Sequence, residues 1–240
     1  MSLFLSVVAY TALNRLLDHD LPIARNLNQR HNEGWMNSIF PHTLAAQSMS
    51  SAEQNKSPSK VALTREQIIN ALQSLSDKLR EQNLIGELCL FGGTVMVLAF
   101  NSRVSTKDVD ALFQPSTPIR QLAACVAEEH RLTTDWLNDG VKGFVSARHE
   151  LTSGNLPQFP NLRLTMPVPE YLLAMKCMAG RVGGTGDEVS DSPDIIFLIR
   201  HLKLTSAKEV LDLVARYYPP GRIPIKTQYL IQGLFEEAKI

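Results

Sequence analysis

The chain has 240 residues, 44% of them hydrophobic and 20% charged, enough apolar material to bury a core without disulfide support. Lys plus Arg and Asp plus Glu are equal at 24 each, which excludes a global field steering the protein to nucleic acid or to a membrane and leaves room only for a local basic cleft. Cys89, Cys125 and Cys177 lie far apart in apolar surroundings with no ligand spacing, so they read as reduced core thiols of a cytoplasmic protein.

The first segment, "MSLFLSVVAYTALNRLL", is apolar for about a dozen residues, too few to span a bilayer. No basic residue precedes the run and the small-residue cleavage pattern is poor, so it reads as an amphipathic helix packed on the body or on a partner. Residues 18–60 are polar and broken ("AAQSMSSAEQNKSPSK") and read as a connector. Order resumes at "LTREQIINALQSLSDKLREQN". Thr64 with Glu66 and Gln67 marks a helix start, and Ile68, Ile69, Leu72, Leu75 and Leu79 recur at helical spacing.

"LIGELCLFGG" predicts a strand stopped by glycines, "TVMVLAFN" a helix, and "KDVDALFQP" a second strand ended by Pro115. "TPIRQLAACVAEEH" predicts a helix with proline in its first turn. "WLNDGVKGFVSARH" reads as a turn and then a strand, "LRLTMPV" as a strand and "VPEYLLAMKCMAGR" as a helix. A flexible Gly-rich loop, "RVGGTGDEVS", follows. Three more helices, "DSPDIIFLIRHL", "TSAKEVLDLVARYYP" and "TQYLIQGLFEEAKI", close the chain. Mixed strands and helices in the middle with helices at the end predict an α+β or α/β fold with a helical half. The expected organisation is an N-terminal helix and connector over 1–60, a core over 61–168 and a helical part over 169–240 that completes a cleft.

The chemistry concentrates in "LFGGTVMVLAFNSRVSTKDVDALF". On a strand, Asp108 and Asp110 share a face while Val109 enters the core. Two same-facing carboxylates repel unless a cation lies between them, and Mg²⁺ takes one or two carboxylates plus substrate phosphates. Gly92 and Gly93 end the preceding strand and open a helix at Thr94, where backbone amides and a hydroxyl suit an anion. Taken singly, Asp-x-Asp marks a solvated strand face and Gly-Gly a turn. Taken together and in this order they predict a nucleoside triphosphate site with magnesium.

This stretch resembles the signature of the nucleotidyltransferase superfamily, the polymerase-β-like fold. The arginine before Ser/Thr and the Asp-hydrophobic-Asp are similar to the branch that contains AbiEii-type toxins and related bacterial domains. "PEYLLAMKCMAGR" and "DSPDIIFLI" resemble that branch's later motifs, so the likeness covers roughly residues 64–216. It implies a small mixed sheet flanked by helices and followed by a mostly helical part. By the resemblance, Gly92, Gly93 and Thr94 hold the triphosphate, Asp108 and Asp110 hold Mg²⁺ (or Mn²⁺), and Lys176 contacts phosphate. Asp191 or Asp194 orients that lysine or reaches the metal site. The implied reaction moves a nucleoside monophosphate to a hydroxyl of RNA, especially tRNA, or of a protein, with an antitoxin as partner in a toxin–antitoxin pair.

The residues themselves leave alternatives. Lysine is rarely buried without a partner, so Lys176 on an apolar helix is either functional or a snorkelling edge residue. Arg103 either faces substrate phosphates or is a solvated strand-edge residue. The strand "NLRLTMPV" carries Arg163 and Thr165 but no acid, where many superfamily members have a third carboxylate. A catalytically silent nucleotide-binding or protein-interaction module of the same fold is therefore the competing expectation. His130, His149 and His201 show no metal spacing and read as surface or helix-end residues. Trp136 and Phe144 read as core, and Tyr217–Pro220 as a helix stop.

Overall fold

The computed structural model of the protein describes residues 62–180, 190–237 and 240. The expected N-terminal helix and connector lie outside the described residues, as does the Gly-rich stretch 181–189.

The elements in order are β1 (Leu63–Thr64), α1 (Arg65–Glu81), β2 (Gly86–Leu90), α2 (Gly92–Leu98), β3 (Ser105–Thr106), β4 (Val109–Gln114), α3 (Ser116–His130), β5 (Leu137–Asn138), a 3₁₀ turn (Gly140–Phe144), β6 (Leu151–Thr152), β7 (Leu162–Pro167), α4 (Pro169–Ala179), α5 (Ser192–His201), α6 (Ala207–Tyr217) and α7 (Ile225–Glu236). The fold is α+β. Among the described residues no helix is long and apolar enough to cross a membrane.

α1 starts where the sequence marks it. The Thr64 hydroxyl accepts from the Gln67 amide, and the Gln67 side chain accepts from the Thr64 amide, a capping box that typically contributes about 1 kcal/mol. Ile68, Leu72, Leu75 and Leu79 form its buried stripe, and Arg65 donates to the carbonyls of Val97 (2.8 Å) and Leu98 (2.7 Å) at the end of α2.

The main sheet has the order β5-β4-β2-β7-β6. β2 pairs antiparallel with β4 (Leu90 opposite Ala111) and parallel with β7 (Cys89 opposite Thr165). The two faces can be told apart by alternation along β2. A Cβ on Gly86 would meet Leu79 of α1 and Ile119 of α3, so the Gly86, Leu88, Leu90 face lies under those helices. The Glu87, Cys89, Phe91 face looks toward α4, whose Leu172 and Met175 line one cavity together with Phe91. α4 is itself surrounded by α5, α6 and α7, and the Thr227 hydroxyl of α7 donates to the Cys177 carbonyl (2.9 Å). One hydrophobic core therefore runs from Leu63 to Leu234.

Several expectations need correction. The segment 145–149 forms no strand; after β5 the chain makes the 3₁₀ turn and then a loop. Phe144 is 45% exposed rather than core, because that turn lifts it off the sheet, whereas Trp136 is fully buried and donates to the Ala123 carbonyl (2.9 Å). His149 is buried, not a surface residue. Cys89 and Cys177 are core thiols, but Cys125 sits on the outer side of α3 and is exposed.

Candidate functional site

Asp110 stands at the start of β4, where the strand leaves its doubly buried stretch Ala111–Phe113. The Phe91 amide donates to the Asp110 carbonyl (2.9 Å), which brings the β2–α2 corner alongside. Gly92 occupies that corner at φ +58°, a left-handed conformation in which a Cβ would lie 2.9 Å from Asp110 Oδ2. Both the backbone angle and the carboxylate demand glycine there. Gly93 answers a different need: a Cβ on it would sit 2.4 Å from the Thr106 hydroxyl, so it lets α2 pack against β3.

Four sequence expectations change at this corner. The helix opens at Gly92, two residues earlier than expected, and its seven residues are too few for a strong N-terminal dipole. Thr94 is fully buried, and its hydroxyl donates to the Asp108 carbonyl (3.1 Å), so it braces the loop instead of offering a donor to a ligand. Asp108 lies in the bend ahead of β4, not on the strand, so alternation no longer sets its face relative to Asp110. Arg103 is neither a free strand-edge side chain nor directed at open solvent. Its Nε donates to Asp194 Oδ1 at 2.5 Å.

Lys176 is 5% exposed, which rules out the snorkelling alternative. Its Nζ donates to Asp191 Oδ1 (2.7 Å) and makes an ion pair with Asp194 Oδ2 (2.8 Å). Asp191, Asp194 and Lys176 are each 5% exposed or less. Arg103, Asp194, Lys176 and Asp191 thus form a chain of two cations and two carboxylates that joins the β3 approach to α4 and α5. Burying these charges is tolerable because each has a partner within hydrogen-bonding range. Asp191 and Asp194 both act on the lysine, where either one alone was expected. Burial, with the Asp191 charge adding to it, pushes the neighbouring Cys177 thiol up to about 12, so it stays protonated and inert.

A cavity of about 280 Å³ connects the two parts. Gly92 and Asp110 line one side and Lys176 the other; Phe91, Val141, Phe144, Leu172 and Met175 supply apolar wall. Asp108, Asp191 and Asp194 do not line it. The apolar wall has no single periodic signature in the sequence, because its residues come from the corner between β2 and α2, the 3₁₀ turn and α4, and are neighbours only once the chain has folded.

The donor set bears on a metal. Among the described residues no cluster of three or more His, Cys, Asp or Glu side chains could hold an ion. Asp110 offers a hard carboxylate in a cradle that a Cβ on Gly92 would fill. That fits Mg²⁺ arriving with the oxygens of a substrate triphosphate, which needs only one or two carboxylates, and does not fit a self-sufficient protein cage. β7 contributes no acid; its Arg163 is exposed and pairs with Glu87 at 3.2 Å.

In comparisons with known proteins no family model matches the chain, and no curated protein or solved structure matches it significantly.

Proposed function

We propose that the protein is a magnesium-dependent nucleotidyltransferase that moves a nucleoside monophosphate from a nucleoside triphosphate to an acceptor hydroxyl. The single observation that carries this reading is the cavity in which Gly92, Asp110 and Lys176 meet. An anionic triphosphate needs a cation, an acid to share a metal, and backbone that can be approached closely, and these three residues supply one of each.

Asp110 would hold Mg²⁺ with the substrate's phosphate oxygens; Asp108, which does not line the cavity, is left out of that role. When bound, the ion supplies neutralisation of the charge that builds on the phosphates. Lys176 binds a phosphate oxygen: an ammonium has three donors, one of which goes to Asp191, while Asp194 Oδ2 meets the lysine as an ion pair without accepting a hydrogen bond. Those carboxylates, with Arg103 behind Asp194, fix the lysine so that no rotamer search is required when substrate arrives. The apolar wall from Phe91 to Met175 keeps water from the phosphates and packs against the nucleoside. An acceptor hydroxyl attacks the α-phosphorus, a new P–O bond forms, and the bond to the β-phosphate breaks to release pyrophosphate. The acceptor hydroxyl belongs to RNA, tRNA above all, or to a protein. In a toxin role, the antitoxin would be the binding partner. The work is expected in the cytoplasm.

The test is label transfer from α-labelled nucleoside triphosphates with Mg²⁺ and a panel of acceptors, comparing wild type with Asp110→Asn. Transfer by wild type and background label with the variant is expected. Equal transfer by both rejects the proposal.

Two observations favour a second reading, a silent nucleotide-binding module: the Lys176 charge is already balanced by two buried carboxylates, and β7 lacks an acid. Calorimetry with ATP or GTP and Mg²⁺ separates the two, since heat of binding with no pyrophosphate release favours the silent form.

A further inference from the structure

A second and larger cavity, of about 710 Å³, lies beside the first and shares Phe144 with it. Its walls are the stretch from Gly143 to Arg148, Met178 of α4, and the end of α6 with the turn after it, from Ala215 to Arg222. Arg148, Arg216 and Arg222 line it, and among the described residues no acidic one does. All three are exposed, and among the described residues none of them makes an ion pair with a carboxylate. Glu150 and Glu170 are near enough to raise the Tyr217 hydroxyl, but neither borders the cleft.

The walls are held firmly. Ser146 is buried, its hydroxyl donates to the Tyr217 carbonyl, and its amide donates to the Tyr171 hydroxyl (2.8 Å). The Tyr218 hydroxyl donates to the Phe144 carbonyl (2.5 Å). Arg148 reaches the Arg216 carbonyl (3.4 Å), and the Arg216 guanidinium lies 5.9 Å from the centre of the Tyr217 ring. Three guanidinium groups that make no ion pair with a described carboxylate are thus gathered in one cleft of a chain whose net charge is zero. Arginine's planar fork matches phosphate oxygens, and ring stacking leaves that fork free to donate.

We propose that this cleft is a phosphate-binding site distinct from the Asp110–Lys176 cavity, seating the phosphoryl groups of a nucleic-acid strand or of a free oligophosphate. The exposed Phe144 ring at the shared wall offers a face on which a base attached to such a phosphate can stack. The proposal stands on the cleft alone and does not need the transferase reading.

Fluorescence anisotropy of the full chain with a labelled oligothymidylate of about twelve nucleotides, at several salt concentrations, tests it. Wild type is expected to bind with a log–log salt slope near about −2, since each neutralised phosphate of a single strand contributes about −0.7. Arg216→Gln should weaken binding about fivefold to tenfold and flatten the slope by about 0.7, and the triple Arg148→Gln, Arg216→Gln, Arg222→Gln variant should abolish it. Asp110→Asn should bind as wild type. Inorganic tripolyphosphate, used as competitor, identifies the source. Displacement of a strand whose affinity also falls about tenfold in Phe144→Ala points to nucleic acid. Direct tripolyphosphate binding, with the strand bound weakly and Phe144→Ala silent, points to a free oligophosphate. The proposal is overturned if neither probe binds wild type at low salt, or if the arginine variants retain wild-type affinity. It is also overturned if Asp110→Asn loses as much as the triple variant. Arg216→Gln alone keeps the test decisive should the triple variant not fold.

Discussion

Lys176 and Arg216 are both cations on C-terminal helices, and the cavities they line share one phenylalanine, yet their surroundings are opposite. Lys176 is buried and held by two carboxylates, with Arg103 bound to the far side of one of them. Arg216 is exposed, rests on a tyrosine ring, and among the described residues makes no ion pair with an acid. A buried charge must be matched where it stands, so Lys176 is part of what holds the fold together, and any ligand it meets finds a lysine already positioned. An exposed charge costs the fold almost nothing, so Arg216 and its neighbours can remain uncompensated until an anion arrives. Stability and ligand recognition are therefore expected to separate between the two regions.

The largest effect should come from Lys176→Met. It leaves Asp191 and Asp194 buried with their main cation gone and should cost about 3–5 kcal/mol in denaturant unfolding. If Arg216→Gln destabilises the protein as much, the contrast between the two regions fails. Next is Gly92→Ala. The positive φ and the contact with Asp110 Oδ2 should together cost about 1–3 kcal/mol, and nucleotide binding should fall further than stability because the carboxylate must move.

A third test lies beside the arginine cleft. Burial lowers the pKa of His149, against the opposing effect of its Nδ1 contact with the Ser146 carbonyl. The folded state therefore prefers neutral His149, and below about 6.5 the unfolded state binds the extra proton, so stability falls as pH drops through that range. The slope from one proton is at most about 1.4 kcal/mol per pH unit, and His149→Gln should remove it from unfolding curves measured between neutral and mildly acid pH. The smallest effect is expected of Arg163→Ala on the outer side of β7. Its pair with Glu87 is exposed, and its loss should move the unfolding free energy by about 0.2–1 kcal/mol or less. A larger loss would mean that surface charge matters more here than the comparison allows.

Much of the architecture could be read from local pattern. The cap at Thr64, the stripe on α1, the glycine stop after β2, Pro169 in the first turn of α4 and Pro193 in that of α5 are signals carried by residues a few positions apart. They act on the chain before any tertiary contact exists, and the structure follows them. The failures share a cause as well. The strand expected after a turn in "WLNDGVKGFVSARH" does not form, because beyond the 3₁₀ turn at Gly140–Phe144 Ser146 is held by Tyr171 and Tyr217, contacts distant in the sequence. Asp108 falls off its strand because the strand's first residue is set by pairing with β5, where Val109 meets Leu137.

The site divides along the same line. The order of a glycine pair and Asp-x-Asp singled out Gly92 and Asp110, and a lysine in an apolar helix singled out Lys176, whereas Asp191 and Asp194 came only from the family resemblance. Which of them meet was decided by packing. β2 and β4 bring Gly92 to Asp110, and the fold of α5 against α4 closes two aspartates on Lys176, turning Arg103 inward to balance the second. The arginine cleft had no sequence signature, because Arg148 and Arg222 are far apart in the chain and become neighbours only when the end of α6 docks on the loop before β6. Short-range propensity chose the elements, whereas burial, which acts only between elements already formed, chose the partners of each charge.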